Sequence, residues 1–278
     1  MLAGKTYLEI VGGFIFKERQ YSDSFFLHFV GFVYQWQRYF WLGSILFLTS
    51  FTGLLAQIQD TTQAYVYRQK ADYFYKGDHK NYDSALHYYD LAATHFEDAK
   101  AYQRAGNSLL RKGNCFIRKK TPQEAIPVFK KCIKVLQNIY ADDDLNMISV
   151  NRNLFSAYLR SGKPFEGQPY LFKAYEIGKQ HKDENLRAYA GTLETLGYFY
   201  NEIGDPNKAK QYYLEVAPIY LELLGPTSSR LSATYVNIGI QLDILGDVER
   251  SIEYFESCNQ QISYNLKLKK YLFSKQNL

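Results

Sequence analysis

"NEIGDPNKAKQYYLEV" at residues 201–216 comes back, similar in chemistry, as "DILGDVERSIEYFESC" at 243–258, an offset of 42 residues measured from Gly204 to Gly246. Each copy reads as the tail of one helix, a Gly-Asp turn and the start of a second helix. Glycine suits the left-handed residue that closes a helix, and Pro206 suits the first turn of the next. A period of this length marks supersecondary units that bury their faces against one another.

The period runs through most of the chain. Steps of 42 from Gly197 land on Ala71, Gly113, Phe155 and Gly239, and three residues after each stands a large one: Phe74, Phe116, Tyr158, Tyr200 and Leu242. On the second helix of each pair the small places are Ala85, Ala125, Gly167, Ala209 and Ser251, with an insertion in "KGDHKNYDSA" delaying the first. Four residues later come Tyr89, Phe129, Leu171, Tyr213 and Phe255, then Ala92, Cys132, Ala174, Val216 and Cys258. Small residues let antiparallel helices approach, and the aromatic one turn away fills the hollow between them. Gly162, Gly204 and Gly246 hold the turn place, which Lys120 takes in the second unit, and "GPTSS" (225–229) ends a longer second helix.

This alternation resembles the tetratricopeptide repeat, and the 42-residue spacing with "LLGPTSSRLSATYVNIG" is similar to the kinesin-light-chain variety. The resemblance covers residues 62–262 as five units and implies an all-α superhelix, a TPR solenoid of helix-turn-helix repeats. The first two units depart most, with Lys70 and Lys112 at places expected to be apolar. The resemblance also implies a concave groove, lined by the first helices, that holds a partner's peptide or helix. Its matching positions give Arg68 in the first unit, Asn107, Asn114 and Arg118 in the second, and Arg152 and Ser156 in the third. Glu194, Tyr198 and Asn201 follow in the fourth, and Ile240 and Asp243 in the fifth. The Lys/Arg-plus-Asn clamp with which some relatives grip a C-terminal carboxylate is not reproduced, since Asp72 follows Arg68 and Ser156 follows Arg152.

The N-terminal residues differ in kind. From Tyr39 to Gln59 no residue is charged, and "WLGSILFLTSFTGLLA" (41–56) is long enough to span a bilayer as a helix. Residues 39–59 are therefore expected to be a transmembrane helix or a signal peptide cleaved after Ala56. A buried helix of a soluble domain is the weaker alternative. Residues 1–38 form an extension that is long for a signal peptide's leading region. A start near Val33 would leave a segment similar to the Gln-terminated signal peptides of exported Bacteroidetes proteins, which implies a bacterial envelope location. Residues 263–278 read as a basic cap or the opening of a sixth unit.

Composition narrows the function. The net charge is only +5, which does not call for nucleic acid. The nine Lys/Arg between 101 and 134 stand against one acid, Glu124, and read as solvated helix faces, with an acidic peptide as the alternative. Cys115, Cys132 and Cys258 form neither a CxxC pair nor an even set; Cys132 and Cys258 occupy packing places. His79, His87 and His95 recur every eight residues, about 80° out of alignment on a helix, so they do not make a metal face. Asp142, Asp143 and Asp144 lack calcium-loop spacing and read as a helix-start cluster. No phosphate loop or nucleophile motif occurs, so neither catalysis nor a cofactor is expected. The reading is a non-catalytic interaction scaffold, exported or membrane-anchored, that binds a protein or peptide. The alternative is the sensory half of a longer signalling protein.

Overall fold

A computed structural model describes residues 61–76 and 80–258, all within one compact unit, Gln59–Leu278. The expected extension at 1–38, the apolar segment 39–59 and the cap at 263–278 lie outside the described residues. Among those described there are ten helical segments and no strand. In chain order they are α1 (61–75), α2 (Tyr82–Asp98), α3 (Tyr102–Arg118), α4 (Pro122–Leu136), α5 (Met147–Arg160) and α6 (Pro164–Gln180). The remaining four are α7 (Leu186–Glu202), α8 (Pro206–Leu224), α9 (Ser229–Ile244) and α10 (248–258). They pair as the period requires, α1 with α2 through α9 with α10, giving an all-α helical-repeat solenoid.

The turns show why the period holds. Gly162, Gly204 and Gly246 have φ of 75°, 78° and 80°, the left-handed region that opens a sharp helix end. The residue after each turn donates its N–H back to the helix: Lys163 to the Tyr158 carbonyl at 2.9 Å, Asp205 to Tyr200 at 2.8 Å and Asp247 to Leu242 at 2.9 Å. Those acceptors are the large residues of the sequence pattern, so one position supplies both the cap and the packing knob. Pro122, Pro164 and Pro206 each open a second helix, where a missing N–H costs nothing. Asp205 caps α8 by accepting the Lys208 N–H at 3.1 Å.

Lys120 adopts φ 65° at the glycine place of the second unit, and Thr121 makes the matching bond to Phe116 at 3.0 Å. A side chain there costs about 1–2 kcal/mol in steric strain, partly offset by the greater freedom of glycine in the unfolded chain. Lys120→Gly should therefore stabilise the protein by about 0.5–1 kcal/mol, read as a higher thermal midpoint. A lower midpoint would show that this turn is not strained.

Packing follows the small-against-large rule. A Cβ on Gly197 would lie 2.6 Å from Tyr213 Cε1, and one on Gly239 2.6 Å from Phe255 Cε1, while Gly113 meets Phe129 more closely still. The third unit reverses the rule: Phe155 fills the glycine place, and the opposing helix makes room with Gly167, whose Cβ would lie 3.1 Å from the Phe155 ring. Phe155 then reaches forward to meet Phe199 edge-on at 5.5 Å. The two lysines at apolar places are accommodated at their ends. Lys70 lies over the Tyr88 ring at 5.5 Å, and Lys112 pairs with Asp90 at 2.6 Å.

First helices touch their counterparts in the next unit, α3 with α5 and α5 with α7, as well as their own partners. That side-by-side contact makes them the inner wall of the array.

Candidate functional site

The sequence-derived groove residues divide into two groups. In the first two units they are largely occupied by the protein itself. Arg118 lies over the Tyr75 ring at 4.9 Å, and Asn114 accepts a hydrogen bond from Asn153 Nδ2 at 3.2 Å. The basic stretch around them is similarly engaged: Arg111 pairs with Asp72 at 3.3 Å, Lys131 with Glu97 at 2.8 Å, and Lys119 with Asp83. Arg104 covers the Tyr65 ring at 5.1 Å. Much of the positive charge read from 101–134 thus faces acids and aromatic rings of neighbouring helices. Arg68 is half-buried on α1.

Between units two, three and four the inner wall holds a cavity of about 170 Å³, lined by Gln103, Asn107, Leu110, Asn146, Ser149 and Asn185 among others. Its polar side chains are neutral amides, the Ser149 and Tyr140 hydroxyls and the Cys132 thiol, and its apolar floor includes Leu136 and Val150. Such a cavity suits an uncharged side chain flanked by peptide groups.

The third to fifth units hold the charged centre of the wall. Glu194 on α7 accepts the Tyr220 hydroxyl at 2.7 Å and lies 3.4 Å from the Arg230 guanidinium. Arg230 in turn covers the Tyr220 ring at 5.4 Å. From the preceding unit Arg152 extends its guanidinium across the backbone of Gly191. Burial pulls its pKa down, the nearby Arg230 charge adds to this, and Tyr220 and Glu194 oppose it. Ser156 does not reach the cluster, because its hydroxyl donates to the Arg152 carbonyl at 3.0 Å. One turn beyond Glu194, Tyr198 is 49% exposed, and on α9 Ile240 and Ile244 are 40% and 60% exposed. Asn201 accepts from Gln241 Nε2 at 2.8 Å, tying α7 to α9, and Asp243 is exposed beside it in sequence.

Arg230 and Tyr220 were not among the residues expected from sequence. Arg230 precedes the groove positions of its unit and Tyr220 belongs to a second helix, so neither falls on the pattern that selects groove residues.

Among the described residues no nucleophile stands out. Cys115 and Cys132 are buried, and burial pushes both thiols up to about 12, which leaves them protonated at neutral pH. Cys258 is buried as well. Asp142 bonds to Gln137 at 2.7 Å and Lys173 at 2.9 Å, while Asp144 accepts the backbone N–H of Asn146 at 2.7 Å just ahead of α5. Among the described residues no His, Cys, Asp and Glu cluster could hold a metal ion, and no helix is long and apolar enough to cross a membrane.

The tetratricopeptide repeat family model matches residues 106–135 and 190–217. No curated protein sequence matches this chain. Three solved structures are similar in fold. A Podosopora anserina kinesin-light-chain-type protein with nearly identical TPR-like repeats is 13% identical at a TM-score of 0.53, covering 74% of this chain and 95% of its own. The apo form of RapI is 15% identical at 0.61, covering 73% and 72%. MamA from Desulfovibrio magneticus RS-1 is 15% identical at 0.53, covering 73% and 96%. Repeats of this type are typically non-catalytic scaffolds that bind other proteins. The chain therefore holds two segments that match the tetratricopeptide repeat, 106–135 and 190–217, within an all-α solenoid similar in fold to kinesin-light-chain-like repeat proteins.

Proposed function

We propose that this protein is a non-catalytic scaffold whose inner wall, from α5 to α9, binds an extended segment or helix of a partner protein. The observation that carries the reading is the pairing of exposed Tyr198, Ile240 and Ile244 with the Arg152, Glu194 and Arg230 cluster on that wall. Exposed aromatic and aliphatic anchors beside oriented charges are the composition of a binding hot spot. Export or membrane attachment through residues 39–59 would place this surface at the bacterial cell envelope.

Selection of random displayed peptides on the full-length protein tests the reading. The wild type should enrich a related set of sequences, and Tyr198→Ala with Ile240→Ala should weaken them by about a hundredfold, as the loss of two hot-spot contacts requires. Both side chains are substantially exposed, so the fold should persist. If no related set is enriched, or the variant binds as well, this wall is not the binding surface.

A further inference from the structure

One face of α1 breaks the burial pattern of the array. Val66 and Tyr73 are 40% and 56% exposed. Steps of 42 from them land on Ser108, Val150, Thr192 and Thr234, and on Cys115, Ala157, Phe199 and Gln241, all at most 2% exposed. In the later units these places pack against the unit before: Cys115 joins Ala85 and Tyr89, and Phe199 meets Phe155. On α1 the same stripe is open to solvent, with Gln69 in its middle and Tyr65 and Lys70 at its edges. A shallow hollow of about 370 Å³ lies beside it, lined by Gln69, Lys70, Tyr73, Phe74 and Tyr88.

Charge divides the array in the same direction. Residues 61–140 carry fourteen Lys/Arg and seven Asp/Glu, whereas 141–258 carry eleven and seventeen. Lys70, Lys76 and Lys80, on α1 and just after it, are all exposed.

We infer that this face of α1 lies on an anionic lipid surface. This rests on the membrane attachment through residues 39–59 proposed above. The uncharged stretch ends at Gln59 and α1 begins at 61, so a span ending there starts α1 among the headgroups. Tyrosine rings and an aliphatic side chain flanked by lysines are the composition of a segment resting in the interface, with the ammoniums reaching the phosphates. An anionic leaflet attracts nearby lysines by about fivefold in binding for each. The acidic half, 141–258, is repelled by the same surface, so the first two units lie against the lipid and the groove of α5 to α9 faces away from it. Nucleic acid or an acidic protein offers the negative charge but not the apolar layer that Val66 and Tyr73 enter.

The test uses the full-length protein reconstituted into vesicles, with a nitroxide on Gln69→Cys; the native cysteines are buried. In phosphatidylcholine vesicles containing phosphatidylglycerol, the label should collide more with oxygen, which concentrates in lipid, than with a water-soluble nickel chelate. A label on Glu222→Cys, in the acidic half, should show the reverse. In phosphatidylcholine alone, or at about 1 M salt, where screening acts within about 3 Å, the Gln69→Cys label should become accessible to nickel. Lys76→Glu with Lys80→Glu should lower the docked-to-undocked ratio about twentyfold or more, with helicity unchanged because both side chains are exposed. A label open to nickel on anionic vesicles would overturn the inference. So would one screened from both reagents, since protein then covers the stripe, or a stronger response to duplex DNA without lipid. If docking fails, protein that still floats with phosphatidylcholine vesicles at high salt leaves the attachment through 39–59 standing; protein that sinks takes both readings down.

Discussion

Replacing Gly197 by leucine should destabilise the array by about 3 kcal/mol, at the upper end of the usual cost of overpacking. The Cβ alone would sit 2.6–2.9 Å from three atoms of the Tyr213 ring, and that ring is 1% exposed and cannot swing aside. Tyr213→Ala by itself should cost about 3–5 kcal/mol through the cavity it leaves. The informative variant is the double one. The third unit already pairs a large residue, Phe155, with a smaller partner, Leu171, on the opposing helix. Gly197→Leu with Tyr213→Ala should therefore cost at least about 2 kcal/mol less than the sum of the single changes, because each relieves the fault made by the other. Urea unfolding followed by helicity measures all three. Additive costs would show that the two residues do not form a lock.

Alkali should unfold the protein over a narrow range above pH 10. Tyr89, Tyr189, Tyr213 and Tyr220 are at most 6% exposed, and burial holds their hydroxyls well above the ordinary value. For Tyr89, Tyr189 and Tyr220 a hydrogen bond to a carboxylate, from Asp72, Glu215 and Glu194 in turn, raises it further. The unfolded chain releases these protons near pH 10 and the folded chain keeps them. Their contribution to stability is thus complete below pH 10 and declines as pH rises towards the folded values. Each tyrosine gives about 1.4 kcal/mol per pH unit, so the four lose about 5.5 kcal/mol for each pH unit above 10, against a typical total stability of about 5–15 kcal/mol. Unfolding is expected between about pH 11 and 12. Tyrosinate absorbance should rise first for exposed rings and then abruptly, together with loss of helicity. A single smooth titration of the 26 tyrosines near pH 10 with helicity intact would contradict this.

The repeat could be read from sequence because its packing rule is local and recurs. The places held by Tyr200, Gly204 and Tyr213 recur at one spacing in every unit but the first, where an insertion delays the second helix by two residues, and each has a defined physical task. Lys120 was legible as an exception for the same reason. The binding face was legible only in outline. Position numbers select residues on the inner wall but do not say which are engaged by the protein itself. Asn114 and Asn201 proved to join neighbouring units, and Arg118 to cover Tyr75. The centre of the wall is built between units, where Arg152 crosses Gly191 and Arg230 reaches back to Glu194. Contacts of that kind depend on the rotation from one unit to the next, which no single copy of the repeat encodes.

The reversed packing in the third unit also bears on how the protein comes apart. Leu154 and Tyr158 of α5 belong to the N-terminal part of the core with Ala174 and Ile177, while Phe155 belongs to the C-terminal part with Leu171, Leu196 and Phe199. Arrays of repeats tend to melt piecemeal, because each unit supports only its neighbours. Here α5 and α6 each serve both parts, so neither part can lose its order without exposing side chains of the other. Of these two helices α5 also carries Arg152, which ties the persistence of the charged centre to the cooperativity of the whole array.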